Sequence, residues 1–553
     1  MTVREPNPQP RLFSPPLSQV DWLLISLALM VTVAVLGKDI SVGGLRWGDT
    51  AVHAMDGVLI HDWVMAGPSA WVQPMQFAEE QYGHYPCLGI GRHYPPGFAI
   101  VEAGFFAVFG ISPFTARLCV VFFGLLAAAG TYLFMRTIVD RPTSLLAAVT
   151  LLTLPAVTLW GRQAMLEVPT LAVLAWGAVA FSWYVNRPTW RRYGVLLIVA
   201  TAAILFRQTG VFLHSAIAMA LIIGALRGQV RWSQALCSAI VAVGAIVVVT
   251  LSFEGAAERM FRGRASYPSL WDISALTFYL RQLPDQVGWV ALLAALVGVI
   301  TWPRKWRAHG VFLACWLFVG YVMLSAAELK WPRFFFVALF PFAAWTAVVA
   351  GRLLSWIPYA RLRPAVCAAI VVGLCATGFA RPTELYPDCG VVIAAHRDSI
   401  DNQVVLVAGT RDNHLVFAIR QHLPWRRAVA IRSSKLLYTC NTVPAVDFVS
   451  YANGPSAVAD IVEPYAFARV FMAGNRSFGI AQEGWLREYL EQGGAYRAIA
   501  SHHLHIDGSS RCRDETIDVY EPAQPLTRTV DYFDIPIPRS DRTIRIDLRD
   551  QSS

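Results

Sequence analysis

The sequence is poor in charge and in cysteine patterns. Only 15% of its 553 residues are Asp, Glu, Lys or Arg, whereas 56% are hydrophobic, and the mean hydropathy is +0.46. The nine cysteines form no CxxC pair and no Cys/His spacing typical of a metal site. A composition this apolar, concentrated in long runs, excludes an ordinary soluble domain. We therefore expect the lipid bilayer to be the main solvent of the chain.

Signatures of nucleic-acid and nucleotide binding are also missing. The net charge of +9 arises before Arg381, where 27 basic residues face 16 acidic ones, against 19 and 21 afterwards. Because the basic residues lie mainly in short loops between apolar runs, they indicate membrane topology rather than a nucleic-acid surface. A nucleotide cradle at Gly409 would need the repeated glycines of a Rossmann or P-loop motif, which the sequence lacks there.

What the sequence has is a series of apolar segments long enough to cross about 30 Å of hydrocarbon. Eleven are predicted, near residues 22–37, 114–135, 144–160, 168–185, 194–206, 209–226, 234–253, 287–302, 311–327, 334–350 and 364–380. The segment 97–110 is shorter and contains Glu102, which favours an interfacial or re-entrant helix. The polar first twenty residues precede a span without a cleavage site, so we expect a retained signal anchor.

The charges between the spans predict their orientation. Thirteen Lys and Arg residues lie in the loops near residues 136–142, 187–193, 227–231, 303–309 and 351–363. The alternate short loops hold four, which are Arg162, Arg207, Lys330 and Arg333. The positive-inside rule places the first set in the cytoplasm. We therefore expect a cytoplasmic (inner or plasma) membrane protein whose N-terminus is cytoplasmic and whose C-terminal part is extracytoplasmic.

Composition changes sharply near Arg381, which predicts a membrane domain over residues 1–380 and an extracytoplasmic domain over residues 381–553. Strand patterns occur at residues 404–409, 467–474 and 515–522, and helix patterns at residues 413–422 and 484–492. These patterns predict a small α/β domain. The expected fold is thus an α-helical multi-pass membrane protein with about eleven transmembrane helices, an interfacial helix and a C-terminal α/β domain.

Four cysteines would lie on the extracytoplasmic side, where an oxidising compartment permits disulfides. They are Cys87, Cys389, Cys440 and Cys512, and their pairing is left open. The tail over residues 536–553 is expected to be ordered in part at most.

The predicted outer face also gathers carboxylates. Asp49, in the segment RWGDTAVH, follows the first span and is our candidate for a general base. His53 lies one helical turn further on. An Asp after Gly is equally common as a helix N-cap, and an Asp/His pair could bind a divalent metal, although two ligands are too few to assign one.

Cations accompany these carboxylates. GRHYPPGF places Arg92 and His93 just before a helix start, which suits a phosphate but also suits a headgroup anchor. GRQAMLEVPT places Arg162 and Glu167 in a turn between spans, where Glu167 could cap a helix or bind hydroxyls. Transfer of a sugar from a lipid phosphate needs a carboxylate base and cations for the leaving phosphate. Further cations for that phosphate stand at span ends, namely Arg207, Lys330 and Arg333.

The order of these motifs resembles the GT-C superfamily of glycosyltransferases, in particular the branch with protein O-mannosyltransferases and lipid A aminoarabinose transferases. The likeness covers roughly residues 20 to 350. Its members here are Asp49, the His93-Tyr94-Pro95-Pro96 step, Glu167, the step from Arg207 to Gly210, and the stretch from Lys330 to Phe336. The sequence departs from the pattern at Thr50, where many members carry a second acidic residue. This departure weakens any metal or paired-carboxylate role.

The resemblance implies an inverting single displacement. Asp49 would activate the acceptor with Glu167 as a second catalytic carboxylate, while the phosphate of a polyprenyl-phosphate sugar leaves toward the cations. The acceptor could be a glycan, a lipid or a protein. A transporter or flippase is the alternative class. Transporters usually show internal repeats and ionisable residues at mid-membrane depth. Here the central parts of nearly all predicted spans lack Asp, Glu, Lys and Arg, and His214 is the clearest titratable exception. A non-catalytic scaffold would leave the gathered charges without a cause.

Overall fold

The computed structural model describes residues 17–89, 94–252, 273–327, 330–439, 448–474, 480–492, 494–505, 514–536 and 543–549. It divides into two compact units. Over their described residues, the first unit comprises Met1–Ile40, Ile90–Phe98 and Arg117–Thr383, and the second comprises Ser41–Gly89, Ala99–Ala116 and Glu384–Ser553. The chain thus passes into the second unit close to residue 381, but this unit also includes two earlier segments. The predicted domain division at residue 381 stays a prediction.

The chain before residue 381 is helical. Its α-helices are α1 (Gln19–Leu36), α2 (Gly48–Met65), α3 (Pro68–Trp71), α4 (Pro74–His84), α5 (Gly97–Phe109), α6 (Pro113–Arg136), α7 (Arg141–Thr153), α8 (Pro155–Gly161), α9 (Glu167–Asn186), α10 (Trp190–Phe206), α11 (Val211–Leu226), α12 (Trp232–Ser252), α13 (Ile273–Val287), α14 (Trp289–Ile300), α15 (Arg307–Ala326), α16 (Leu339–Ser355) and α17 (Leu362–Ala380). Short 3₁₀ helices span Gln208–Gly210, Arg304–Trp306 and Pro332–Ala338.

Eight helical stretches of the described chain are long and apolar enough to cross a membrane. They are Gln19–Leu36, Pro113–Arg136, Glu167–Asn186, Gln208–Leu226, Trp232–Ser252, Arg304–Ala326, Pro332–Trp356 and Leu362–Ala380. Two bent pairs bring the number to ten if each is one span: α7 with α8, bent by 61°, and α13 with α14, bent by 113°. The second bend falls at Gly288, whose φ of 86° disfavours other residues. The chain is a multi-pass membrane protein.

The segment predicted to span near residues 194–206 forms α10, whose 17 residues extend over about 26 Å at the helical rise, at the lower end of the length that crosses a bilayer. The predicted number of eleven spans stays a prediction. The short apolar segment around Glu102 forms α5, which has 13 residues and is not among the candidate spans, as its length predicted.

A polar network fixes the amino end of α1 in the first unit. Asp21 accepts hydrogen bonds from Tyr132 at 2.9 Å, Arg136 at 3.0 Å and Arg141 at 3.0 Å. Ser18 and Asp21 together form a capping box on α1, so one carboxylate both caps the helix and binds two arginines. This network joins α1 to the ends of α6 and α7.

The second unit holds a mixed sheet. After residue 381 its elements are α18 (Gly390–Ala395), α19 (Arg397–Ile400), β1 (Gln403–Gly409), α20 (Asp412–His422), β2 (Ala428–Arg432), α21 (Ser433–Leu436), β3 (Tyr438–Thr439), β4 (Val449–Ser450), α22 (Pro455–Val462), β5 (Arg469–Ala473), α23 (Ala481–Gln492), β6 (Tyr496–Leu504), β7 (Glu515–Pro522), β8 (Tyr532–Pro536) and β9 (Thr543–Asp547). Five strands form one sheet in the order β2-β1-β5-β7-β6. β1 is parallel to β2 and β5, whereas β7 is antiparallel to β5 and β6.

The sequence patterns predicted this domain in outline. The three predicted strands appear as β1, β5 and β7, and the two predicted helices appear as α20 and α23. The predicted α/β class of the C-terminal part is thereby confirmed. Strands β8 and β9 pair as a hairpin, so the described part of the tail contributes one ordered strand.

Helices α2 and α4 pack on the sheet-bearing part of the second unit. The Asp62 carboxylate on α2 accepts two hydrogen bonds from the Arg420 guanidinium. Nε donates to Oδ2 at 2.9 Å, and Nη2 donates to Oδ1. Gln81 of α4 donates to the same carboxylate at 3.0 Å. Burial alone would raise the pKa of Asp62, but the hydrogen bonds from His61 and Arg420 lower it, so the carboxylate stays ionised. The loop after the first span is therefore an integral part of this unit.

Two of the four cysteines that were expected outside can be located. Cys87 and Cys389 are buried free thiols, and burial raises the pKa of each. Cys440 and Cys512 lie outside the described residues. Because Cys87 and Cys389 are unpaired, the disulfide pairing that stays open is that of Cys440 and Cys512.

Candidate active site

The first unit contains a buried ion pair between two of the predicted site residues. Glu167 is the first residue of α9 and Arg207 follows the last residue of α10. Arg207 Nη1 lies 2.8 Å from Glu167 Oε1, and the two side chains are 9% and 1% exposed. Glu167 Oε2 is also buried, and it meets no hydrogen-bond partner among the described residues. One carboxylate oxygen thus remains to accept a hydrogen bond from a ligand.

The Arg-x-x-Gly step has a steric reason. After Arg207 the chain turns through the 3₁₀ helix Gln208–Gly210 before α11 begins. A Cβ on Gly210 would stand 2.2 Å from the carbonyl oxygen of Ala203 in α10. Only a residue without a side chain allows this close return of the backbone. The glycine therefore fixes where Arg207 emerges at the end of α10.

We expect Gly210→Ala to shift this turn and displace Arg207. Because the new methyl group would collide with backbone rather than with a flexible side chain, the free energy of unfolding should fall by about 1–3 kcal/mol, and sugar transfer should fall with it. Gly194→Ala is the matched control, since a Cβ at Gly194 of α10 meets nothing within 4 Å. Thermal midpoints in detergent, measured beside transfer rates, check this; equal midpoints for the two variants would contradict it.

Arg333 lies in an aromatic environment next to this pair. Its guanidinium is 5.7 Å from the ring centroid of Phe334 and 6.0 Å from that of Trp160. The Arg207 guanidinium is 5.5 Å from the same Phe334 ring. Phe334 therefore contacts both arginines, and cation–π contacts hold planar guanidinium groups without using up their hydrogen-bond donors. The structure thus brings together Glu167, Arg207 and Arg333.

Two predicted phosphate ligands are engaged in the fold instead. Lys330 Nζ donates to the carbonyl oxygens of Ser325 at 2.9 Å and Ala327 at 2.5 Å, which closes the carboxyl end of α15. Arg162 donates to carbonyl groups of three other residues and to one hydroxyl, namely Val35 O at 2.8 Å, Gly378 O at 2.8 Å, Arg381 O at 2.7 Å and Thr383 Oγ1 at 3.1 Å. Burial lowers the pKa of Arg162 to about 10, so it stays charged. Their phosphate-binding roles stay predictions.

The second unit carries the other predicted carboxylate. The N-cap of α2 is Trp47, so Asp49 lies inside the first turn and is not the cap. Asp49 is partly exposed, whereas His53, one turn along the same helix, is 3% exposed. Arg92 and His93 lie outside the described residues. The catalytic role of Asp49 and the binding role of His53 stay predictions.

Tyr279 is a residue near the ion pair that the sequence did not single out. Its ring is fully buried and stacks on Phe335 at 5.4 Å, and it lies close enough to Arg207 for an electrostatic interaction. Tyr279 lies midway along α13 and belongs to none of the motifs of the sequence, so the sequence offers no signal for this position.

The donor set for a metal is small. Among the described residues, no group of three or more His, Cys, Asp or Glu side chains is placed to hold a metal ion. Asp49 and His53 provide two such side chains on α2, fewer than a protein-bound transition metal uses.

Known proteins share this architecture. The family model for dolichyl-phosphate-mannose-protein mannosyltransferases matches residues 93–253. No curated protein sequence matches the chain significantly. ArnT from Cupriavidus metallidurans bound to undecaprenyl phosphate has a TM-score of 0.55 at 13% identity, over 91% of this chain and 98% of that chain. Its apo form has a TM-score of 0.54 at 14% identity, over 92% and 98%.

A third solved structure, the oligosaccharyltransferase of Archaeoglobus fulgidus in the apo form, has a TM-score of 0.48 at 11% identity, over 82% of this chain and 69% of that chain. The ArnT matches establish the fold over nearly the whole chain, and the family model falls on the segment that holds Glu167 and Arg207. The resemblance predicted from the motifs is confirmed at the level of the fold: the chain has the fold of the GT-C membrane glycosyltransferases, and its residues 93–253 match the mannosyltransferase family model.

Proposed function

We propose that this protein transfers a sugar from a polyprenyl-phosphate carrier to an acceptor hydroxyl on the outer face of a cytoplasmic membrane. The observation that carries the proposal is the buried Glu167–Arg207 pair with its unused carboxylate oxygen. A buried ion pair in which one carboxylate oxygen accepts no hydrogen bond is better suited to binding a polar ligand than to stability alone. The likeness of fold to a protein solved with undecaprenyl phosphate supports a polyprenyl-phosphate donor.

The reaction is a single displacement at the anomeric carbon of the donor sugar. The acceptor oxygen forms a bond to that carbon, the bond from the carbon to the phosphate oxygen breaks, and the acceptor proton passes to the Asp49 carboxylate. The anomeric configuration inverts. The carrier leaves as polyprenyl phosphate, so no nucleotide sugar takes part in this step.

The cations act on the charge that develops on the phosphate. Arg207 has further donor groups besides the Nη1 that binds Glu167, and the Arg333 guanidinium lies against the rings of Phe334 and Trp160. Guanidinium groups bind phosphate oxygens in pairs, and donors fixed before reaction stabilise a leaving anion most effectively. Glu167 fixes Arg207 and offers Oε2 to a hydroxyl of the donor sugar.

The test is sugar transfer in membranes that contain or lack this chain. A panel of radiolabelled polyprenyl-phosphate sugars is incubated with both membrane preparations, and nucleotide sugars with the same labels serve as the comparison. We expect transfer of label from at least one lipid-linked sugar only where the chain is present. Transfer from nucleotide sugars alone, or from no lipid-linked sugar in a panel of hexoses and pentoses, would contradict the proposal.

A further inference from the structure

The parallel strands of the second unit have a topological switch point. From β1 the chain crosses to β2 on one side, while β5 lies on the other side of β1. In open α/β sheets, ligands bind outside the carboxyl ends of the strands where the strand order reverses in this way. Here that edge consists of the carboxyl end of β1 at Gly409, followed by Thr410, Arg411 and the first turn of α20.

This edge lies next to the amino end of α2 in the same unit. The Asn413 Nδ2 atom is 3.5 Å from the point where a Cβ on Gly48 would stand, and Gly48 directly precedes Asp49. Arg411 Nη1 also donates to the carbonyl oxygen of Arg46 at 3.1 Å. The first turn of α20 therefore contacts the short segment that carries the proposed base.

Asn413 has one buried side-chain oxygen without a hydrogen-bond partner among the described residues. Its backbone N–H donates to Asp412 Oδ1 at 2.6 Å, and its carbonyl oxygen accepts the Cys87 thiol at 3.9 Å. Its Oδ1 atom is buried and meets no hydrogen-bond partner within the described ranges. An amide offers both a donor and an acceptor, and nearly all buried polar atoms are bonded in the working state of a protein. The amide is therefore suited to a ligand hydroxyl.

The charges around Asn413 are balanced against each other. Asp412 Oδ2 accepts from Arg432 Nε at 2.8 Å and from Ser434 Oγ at 2.6 Å. Arg411 Nε donates to Glu515 Oε2 at 3.3 Å. Each arginine at this edge thus has a carboxylate partner, and Glu483 adds a further carboxyl group that accepts the Gly409 N–H at 3.0 Å. These acidic groups disfavour an anionic ligand. Uncharged hydroxyl groups are compatible with this arrangement.

Gly474, which follows β5, packs closely against neighbouring polar side chains at this edge. A Cβ at this position would stand 3.0 Å from both Thr410 Oγ1 and Glu515 Oε1. With glycine there, a hydroxyl and a carboxylate oxygen line the carboxyl ends of β1 and β5. Thr410 and Glu515 thus add a hydroxyl and a carboxylate oxygen to the edge that also carries Asn413.

We propose that this edge is the acceptor site, and that the acceptor is a sugar-bearing molecule with neighbouring hydroxyls. One hydroxyl of the acceptor would bind the Asn413 amide, and an adjacent hydroxyl would give its proton to Asp49. The oxygen of that second hydroxyl bonds to the anomeric carbon of the donor sugar, and polyprenyl phosphate departs. The proposal rests on the glycosyltransferase function proposed above and adds the acceptor class to it.

The experiment separates transfer to acceptor from transfer to water. Membranes with the wild-type chain or with Asn413→Ala receive the radiolabelled polyprenyl-phosphate sugar that the wild type uses, and two products are counted: label on the endogenous acceptor and free labelled sugar. We expect Asn413→Ala to lower transfer to acceptor at least about tenfold, as for the loss of one ligand hydrogen bond. Release of free sugar should be unchanged, because the donor and Asp49 are untouched.

Asn453→Ala is the matched control, since Asn453 is an exposed asparagine of the same unit, and it should leave both products unchanged. Thermal midpoints of the purified variants exclude misfolding as the cause. An equal fall of both products in Asn413→Ala, or no fall in either, would overturn the acceptor site while the donor reaction stands. If the wild type itself forms neither product, the proposed function fails first, and the acceptor site fails with it.

Discussion

Replacing Asp49 with asparagine is expected to reduce sugar transfer at least about a hundredfold, the scale of a lost general base. Asparagine has nearly the same shape but cannot accept the acceptor proton. Because Asp49 is partly exposed and is not the N-cap of α2, the change should cost little stability. Binding of the lipid-linked donor should persist, since the proposed donor contacts come from Glu167, Arg207 and Arg333.

Initial rates of label transfer by purified Asp49→Asn and wild-type protein measure this effect, and equilibrium binding of the labelled donor shows whether the donor site is intact. Asp140→Asn is the matched control. Asp140 caps α7 by accepting the Thr143 N–H at 3.1 Å, and asparagine caps helices as well as aspartate does. Transfer by Asp49→Asn within a few-fold of the wild type would remove this carboxylate from the mechanism.

The elements that were predictable share a strong local signal. Long apolar helices and the apolar strands β1 and β5 differ in period and flanking residues, so the sequence distinguishes them. Strand β6 was missed because its pattern is largely exposed and polar, and it is held by pairing with β7. A strand stabilised by its neighbour rather than by its own hydrophobic pattern gives no local sign.

The site residues were harder to predict, as two arginines illustrate. In the sequence, Arg162 and Arg207 look alike, because each follows an apolar helix and precedes another. In the structure, Arg162 binds carbonyl groups near the ends of α1 and α17, whereas Arg207 binds a carboxylate. Those carbonyl partners lie more than a hundred positions away in the chain. Spacing within one motif cannot distinguish an arginine that binds carbonyl groups from one that binds a carboxylate.

The role of the loop after α1 was equally invisible. Composition indicates a soluble part beginning near residue 381, but the structure includes α2 to α4 in the same unit as the sheet. The link is made by pairs such as Asp62 with Arg420 and Gln81 with Asp62. These are contacts between residues far apart in the chain, and a single sequence does not reveal them.

The second large effect is expected at the Glu167–Arg207 pair. Glu167→Gln alone, or Arg207→Met alone, leaves one buried charge without its partner and should lower the free energy of unfolding by about 3–5 kcal/mol. The double variant Glu167→Gln/Arg207→Met leaves no buried charge, and replacing both members of a buried pair is often neutral. Stability should therefore fall in each single variant and recover in the double variant.

Activity should not follow stability. If Arg207 holds the departing phosphate, removing its charge removes stabilisation of the transition state, and the second substitution at Glu167 does not restore it. Transfer by the stable double variant should therefore stay at least about a hundredfold below that of the wild type. Thermal midpoints and transfer rates of the three variants, measured on the same preparations, separate the two roles. A double variant that regained both its midpoint and its transfer rate would show that the pair only stabilises the helix bundle. The contribution of this buried pair to stability and its contribution to sugar transfer can therefore be separated only when the thermal midpoint and the transfer rate are measured together.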